Sequence, residues 1–414
     1  MRDREGGESL RSRAMKRPLA SLLTALCLTS CGGDDGKNPD PKPGNGNSAS
    51  ENPADVDLEA ECRAAADKWK TLQAKYSAEG ATNVVVTLAF DRSGRAALHV
   101  EPGIALVLDG ATLHFRAPDA EGNFLVAAVP IGHVFAAAIA IADGKPLPAR
   151  GENPPVPAGH VGANLALGLD DRGRSQRHAQ LAVSLRESSP FGWLSLLHPQ
   201  EGYTVRAVDR TAVVSGPCGR VAIDRDTGSL VDWQLEPPGG RLARLRRESF
   251  AIDEPLDPAL FKLAGKPMEP HEVRGLVLDY TMQLSQEVLG KEKEWKLRLD
   301  RTIAFVTAYY RAAWTDAEIG RLAELGAKRR REIAKEYRAN HPDWAQADID
   351  AAVSNSGLPT IAEAVREEMS YNVQVFVHLA RPASQEMEDE FTARFTRVVT
   401  EELAERALAA GKDR

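Results

Sequence analysis

The spacing of apolar residues changes several times along this chain, and each change marks a different kind of structure. Leu19 to Leu28 form an apolar run directly behind Lys16 and Arg17, and residues 32–55 then contain almost nothing apolar. Such a segment cannot bury enough surface to order itself, so it is expected to be a tether. From Val56 to Tyr76, the positions Leu58, Cys62, Ala65, Trp69, Leu72 and Tyr76 recur at steps of three and four, which predicts an amphipathic helix. A period of two follows: Val84, Val86, Leu88 and Phe90 alternate, DRSG at 91–94 is a turn, and Ala96 to Val100 return. Ile104 to Leu108 and Thr112 to Phe115 flank Asp109-Gly110, a dipeptide suited to the positive φ angles of a tight hairpin. The simplest arrangement of these segments is a continuous antiparallel meander.

Residues 124–142 are apolar almost throughout, apart from His133, which suits either a buried helix or a segment capping a hydrophobic cavity. Residues 144–163, rich in Pro and Gly, are expected to be a loop. Strand patterns resume at Leu181–Leu185, Tyr203–Val208, Ala212–Ser215, Gly219–Ile223, Ser229–Leu235 and Leu242–Phe250. After Pro267 and Pro270 the period becomes helical, first through Val273, Val277, Tyr280, Leu284 and Val288, then through Trp295, Leu299, Ile303, Val306 and Tyr310. Thr315 with Glu318, Asp343 with Gln346 and Thr360 with Glu363 have the spacing of capping boxes at later helix starts. The stripes Ile319 to Ile333, Ile361 to Phe376 and Met387 to Val398 complete about five or six helices, with no fixed-period repeat. The fold class expected is α+β, an antiparallel sheet with covering helices followed by a separate all-helical domain. The expected divisions are 1–30 signal, 31–55 anchor and tether, 56–264 sheet domain and 271–414 helical domain.

Charge and length narrow the classes. The chain carries 52 basic and 59 acidic residues, a net charge of −7. Without its first thirty residues it holds about 46 basic and 56 acidic ones, a balance that argues for solubility and against a dedicated nucleic-acid or anionic-lipid surface. The remaining length, about 380 residues, exceeds the usual single core, so two domains are expected. No apolar run after residue 31 approaches the roughly 20 residues of a membrane helix.

Lys16-Arg17 followed by Leu19 to Leu28 has the anatomy of a cleaved export signal, with translation starting at Met15 and residues 1–14 an overhang. Leu28-Thr29-Ser30-Cys31 resembles the lipobox of bacterial lipoproteins. That resemblance implies acylation of the Cys31 thiol by palmitate-type chains and cleavage before it; the alternative is an ordinary secretory signal that happens to hold a cysteine. Two or three acyl chains on one residue hold a protein firmly where one holds it marginally. Gly32, where aspartate would favour inner-membrane retention, points to the outer membrane and a periplasm-facing location. With Cys31 acylated, Cys62 and Cys218 remain as a candidate disulfide in an oxidising compartment, two buried free thiols being the alternative.

Motifs for chemistry are sparse. Asp224-Arg-Asp-Thr-Gly228 contains the Asp-Thr-Gly of aspartic proteases, but once only and between alternating segments, so a hairpin turn is expected; the same stretch makes a poor calcium loop. There is no H-E-x-x-H, C-x-x-C, G-x-S-x-G, Walker A or Rossmann signature, so no metal, cofactor or catalytic residue is assigned, and enzymatic activity is disfavoured. His133 is expected to be a satisfied core histidine. The run Lys328-Arg329-Arg330-Arg331 is expected to be a solvated helix face, the other option being a patch for acidic partners or lipid head groups.

Three segments carry a further resemblance. Leu108-Asp-Gly-Ala-Thr-Leu-His-Phe-Arg-Ala-Pro118 is similar to the first hairpin, Val221 to Trp233 to the late hairpin, and Phe250 to Phe261 to the closing segment of the periplasmic lipoprotein-carrier and outer-membrane lipoprotein-receptor (LolA/LolB-like) superfamily. The likeness spans roughly residues 58–263. It departs at Phe115, where tyrosine or tryptophan is usual, in the loop 144–163, and after 270. It implies an unclosed antiparallel half-barrel whose helix-covered concave face binds acyl chains or lipidated proteins. Leu125, Val126, Ile131, Phe135, Ile139 and Ile141 are then the candidate cover or lining of an apolar site, ordinary core being the alternative for each. Two functions follow: an anchored half-barrel that binds a lipid or acylated protein, or a non-catalytic envelope scaffold whose helical domain docks a protein partner. Nucleic acid is not an expected partner.

Overall fold

The computed structural model describes residues 57–79, 84–101, 103–119, 121–169, 175–183, 185, 192–198, 203–216, 219–235, 243–355 and 359–406. The expected signal and tether, with Cys31 and Cys218, lie outside the described residues. Helix α1 spans Leu58–Ala66, with the Asp57 carboxylate accepting from the Ala60 N–H. It is shorter than its pattern predicts, because Thr71–Glu79 is strand β1. Residues four apart share a face in a helix and also in a strand, so Leu72 and Tyr76 fit both periods; the burial of Ala74 between them identifies the strand.

Strands β2 (Val84–Asp91), β3 (Arg95–Glu101), β4 (Ile104–Asp109), β5 (Thr112–Pro118) and β6 (Phe124–Pro130) form the expected meander, each antiparallel to the next. At the β4–β5 turn Asp109 still pairs with Thr112, so the two-residue loop is Gly110-Ala111 and only Gly110 takes a positive φ, +59°. The apolar run 124–142 is therefore two elements, β6 and then helix α2 (Gly132–Asp143), which ends on Gly144 in the left-handed conformation. β7 (Val161–Leu169) and β8 (Ser175–Val183) pair as a separate ribbon. β9 (Thr204–Val208), β10 (Thr211–Gly216), β11 (Gly219–Asp224), β12 (Leu230–Leu235), β13 (Ala243–Ile252) and β14 (Lys266–Pro267) complete the strands. Among the described residues the main sheet has 12 strands in the order β14-β6-β5-β4-β3-β2-β1-β13-β12-β11-β10-β9, antiparallel throughout except where β14 runs alongside β6. The pairing of β1 with β13 joins the two meanders into one surface.

Both faces of the sheet are covered. On one, Leu72, Tyr76, Val86, Leu88, Phe90, Leu98 and Val100 share an apolar cluster with Ile131, Val134, Phe135, Ala138 and Ile141 at α2. On the other, Ala89, Ala97 and Val107 lie under Leu256, Leu260, Phe261 and Leu263, and His99 Nε2 donates to the Leu260 carbonyl at 2.6 Å.

The helices after residue 270 are α3 (Pro270–Leu289), α4 (Trp295–Ala313), α5 (Asp316–Asn340), α6 (Gln346–Asn355), α7 (Pro359–Ala380) and α8 (Gln385–Val399), with a π-helical turn at Thr400–Glu405. Thr315 and Glu318 form the expected capping box of α5. The other two boxes are displaced. α7 starts on Pro359, which fits a first helical turn and leaves Thr360 inside the helix, while at α6 it is Asp348 that accepts from the Ala345 N–H. Tyr309 and Tyr310 of α4 meet Phe376 of α7 and Phe395 of α8, which in turn meets Phe391, in a fully buried aromatic core. α2 rests against both α3 and α4, and α3 also meets β6, so one apolar cluster runs from the sheet into the helices.

Candidate functional site

The corner where β6 turns into α2 is built from far-apart segments. After Pro130 ends the strand, the Ile131 and Gly132 N–H groups donate to the Ala111 carbonyl at 3.1 and 3.0 Å. Ile131 offers no side-chain cap, and the first turn of α2 is capped instead from the loop after the helix: His133 N–H donates to Asn153 Oδ1 at 3.0 Å. His133 Nδ1 donates to the Glu152 carbonyl at 3.0 Å, which fixes Nε2 as the unprotonated nitrogen; that atom is buried without a partner. Burial, first among the causes, holds the imidazole below its ordinary pKa and so neutral. A Cβ on Gly132 would stand 2.0 Å from the Pro154 carbonyl oxygen, so only glycine admits the loop at this point.

The six candidate lining residues are spread along β6 and α2 on either side of this corner and differ in what they present. Ile131, Phe135 and Ile141 are 0, 4 and 5% exposed and belong to the shared core. Leu125 and Val126 are half-buried on β6, in register with Lys266 and Pro267 of β14. Ile139 is 40% exposed.

Beside the corner lies an ionic cluster with no sequence signature. The buried Glu402 carboxylate accepts from Arg311 Nε and from Arg150 Nη2, each at 2.9 Å, and Arg406 lies one helical turn on. Arg311 also donates to the Pro148 carbonyl, and Arg406 to the Trp314 carbonyl and to Asp316. The cluster ties the loop behind α2 to the C-terminal turn, and with each carboxylate oxygen occupied by a guanidinium it has the chemistry of a strut.

Asp279 was passed over by the sequence pattern. On α3 it stands between the buried Leu278 and Tyr280, and burial alone raises its carboxyl to a pKa of about 7. One turn on, Gln283 Oε1 is buried without a partner. The available signal was an acid between two core positions of the apolar stripe. Among the described residues no group of three or more His, Cys, Asp and Glu side chains is gathered to hold a metal ion.

The Asp-Thr-Gly segment is a turn. Asp224 Oδ1 accepts from the Asp226 N–H at 3.0 Å, its carbonyl accepts from the Gly228 N–H, and Gly228 takes φ +67°. The turn is an anchor for α1: Arg225 grips both oxygens of Glu61, and the Trp69 and Trp193 indoles donate to the Thr227 and Gly228 carbonyls. Cys62 packs against the same turn as a buried free thiol, raised by burial to a pKa of about 12; its candidate partner Cys218 lies outside the described residues.

No protein-family model matches the chain, and no curated protein matches it. Among solved structures, the crystal structure of MucB aligns at 14% identity over 50% of this chain and 62% of its own, with a TM-score of 0.20. The chain thus spans less than two thirds of that protein, and a likeness at this score carries no argument about activity. No described helix is long and apolar enough to cross a membrane.

Proposed function

We propose that this chain is a lipid-anchored protein of the cell envelope, held through Cys31 at the outer membrane and facing the periplasm, and that it serves there as a non-catalytic scaffold. The anchor is supported by the order of charged, apolar and small residues from Lys16 to Cys31. The scaffold role is supported by one observation: the apolar face that a half-barrel carrier would offer to an acyl chain is filled here by Ile131, Val134, Phe135 and Ile141, all between 0 and 5% exposed. Filling that face from within the chain stabilises the fold, at roughly 25 cal/mol for each Å² of apolar surface removed from water, and removes the vacancy a ligand would need.

The second reading, binding of a lipid or an acylated protein, is favoured by the accessibility that Leu125, Val126 and Ile139 retain. Extraction and mass spectrometry of the purified protein separate the two. The scaffold leads to lipid bound only covalently, whereas one non-covalent acyl lipid per chain establishes the carrier. The anchor has its own test: radiolabelled palmitate is incorporated by the parent chain and lost with Cys31→Ser, and equal labelling of the two refutes acylation at that residue.

A further inference from the structure

The net negative charge of the chain conceals a local reversal. From Lys328 to Arg338, helix α5 carries six basic and two acidic residues. Lys328, Arg331, Lys335 and Arg338 are exposed, and their steps of three, four and three set them in one row, about 15 Å long at 1.5 Å per residue. None of the four makes an ion pair among the described residues; Arg338 donates only to the Gln346 side chain. Of the acidic groups nearby, Glu324 lies one turn before the row, Glu332 and Glu336 flank it, and the exposed Asp343 adjoins Trp344, while Asp348 and Asp350 on α6 accept from the Ala345 N–H and from Gln346 Nε2.

At the end of the row, where α5 turns into α6, three rings pile together. The His341 and Trp344 rings stack at 4.1 Å and 12°, and the Tyr337 ring lies 6.0 Å from that of Trp344 at 15°. Trp344 nevertheless stays 37% exposed. An indole held at the surface by its own neighbours, beside a row of cations that make no ion pair among the described residues, matches the chemistry of a bilayer surface: phosphates for the cations and the headgroup layer for the amphipathic ring.

We propose that the α5–α6 tip is a second membrane contact, docking on the anionic phospholipid headgroups of the bilayer. The proposal rests on the envelope placement made above but not on the acyl chain itself. Charge complementarity selects an anionic surface. The aromatic stack selects the bilayer over nucleic acid, since bases stack on free ring faces and His341 already covers one face of Trp344. An anchored chain can turn this tip to the membrane, because the 25 residues from 32 to 56 span up to about 85 Å. Each basic side chain near an anionic bilayer improves partitioning roughly fivefold.

The test uses the chain from residue 31 onward with Cys31→Ser, so that neither signal nor acyl chain contributes, sedimented with phosphatidylcholine vesicles containing or lacking about one quarter phosphatidylglycerol. Binding is expected only to the anionic vesicles and falls at least tenfold between about 0.05 and 0.5 M salt. The joint reversal K328E/R331E/K335E/R338E abolishes it, and Trp344→Ala weakens it severalfold, both with unchanged far-ultraviolet circular dichroism. Equal binding by parent and reversed chains, or none to anionic vesicles, overturns the proposal. Salt-sensitive retention of the row by heparin without vesicle binding also overturns it, and assigns the row to an acidic polymer. These outcomes are independent of palmitate labelling, so failure of the tip and failure of the anchor are told apart.

Discussion

At the scale of single residues, the sharpest consequences come from groups that burial forces into their neutral form. Asp279 holds its proton to about pH 7 in the fold, against roughly 3.9 in the unfolded chain. The sign follows from the raised value: the fold binds this proton more tightly, so the contribution is fully present below about pH 4 and is lost as pH rises towards 7. Asp279→Asn is therefore expected to stabilise the protein at about pH 8, by no more than about 4 kcal/mol, and to do little at about pH 4. Urea unfolding at the two values checks this, and an equal gain at both would refute it. Cys62 behaves alike for a thiol: buried and raised to about 12, it is expected to resist a thiol reagent near pH 8 until the chain unfolds. Rapid labelling of native protein at Cys62 would contradict that burial. The sequence offers the buried thiol as an alternative and sets Asp279 between two core positions, but it carries neither ionisation. A residue's ionisation depends on what packs around it, and the helix that carries Asp279 is packed against α2, α4 and β6, of which α2 and β6 are far from it in sequence.

At the scale of elements, period-two and helical patterns were legible where they were unambiguous, as in β2 to β5 and α3 to α5. They failed where four-residue spacing served both, at Leu72 and Tyr76, and where an unbroken apolar run carried no period at all, at 124–142. The loop 144–157 reads as filler in sequence, since nothing in its Pro and Gly content reveals that Asn153 caps a helix twenty residues back. Asn153→Ala is expected to cost about 1 kcal/mol, the worth of an ordinary cap. Gly132→Ala should cost more, about 2–4 kcal/mol, because its Cβ would displace the Pro154 carbonyl and with it the cap. Denaturant melts of the two variants rank them; a Gly132→Ala chain as stable as the parent would mean that the loop does not close on α2.

At the scale of the whole molecule, what sequence could not supply is long-range closure. The β1–β13 ladder and the packing of α2 against α3 and α4 leave no mark in local periodicity, yet the first joins the two meanders and the second covers α2, whose Val134, Phe135 and Ile141 are core. Glu402 shows the consequence most directly, for it joins Arg150, 252 residues earlier, to Arg311 and the C-terminal turn. Removing it strips Arg311 and Arg150 of their carboxylate, while Arg406 keeps Asp316, so Glu402→Ala is expected to destabilise by about 1.5–3 kcal/mol, the worth of hydrogen bonds to a charged group. Glu402→Gln, which keeps an acceptor oxygen but not the charge, should cost less. Because one apolar cluster spans sheet and helices, the loss should lower a single calorimetric transition. A melt that split in two, with the sheet unshifted, would show instead that the helices unfold independently and that Glu402 serves them alone.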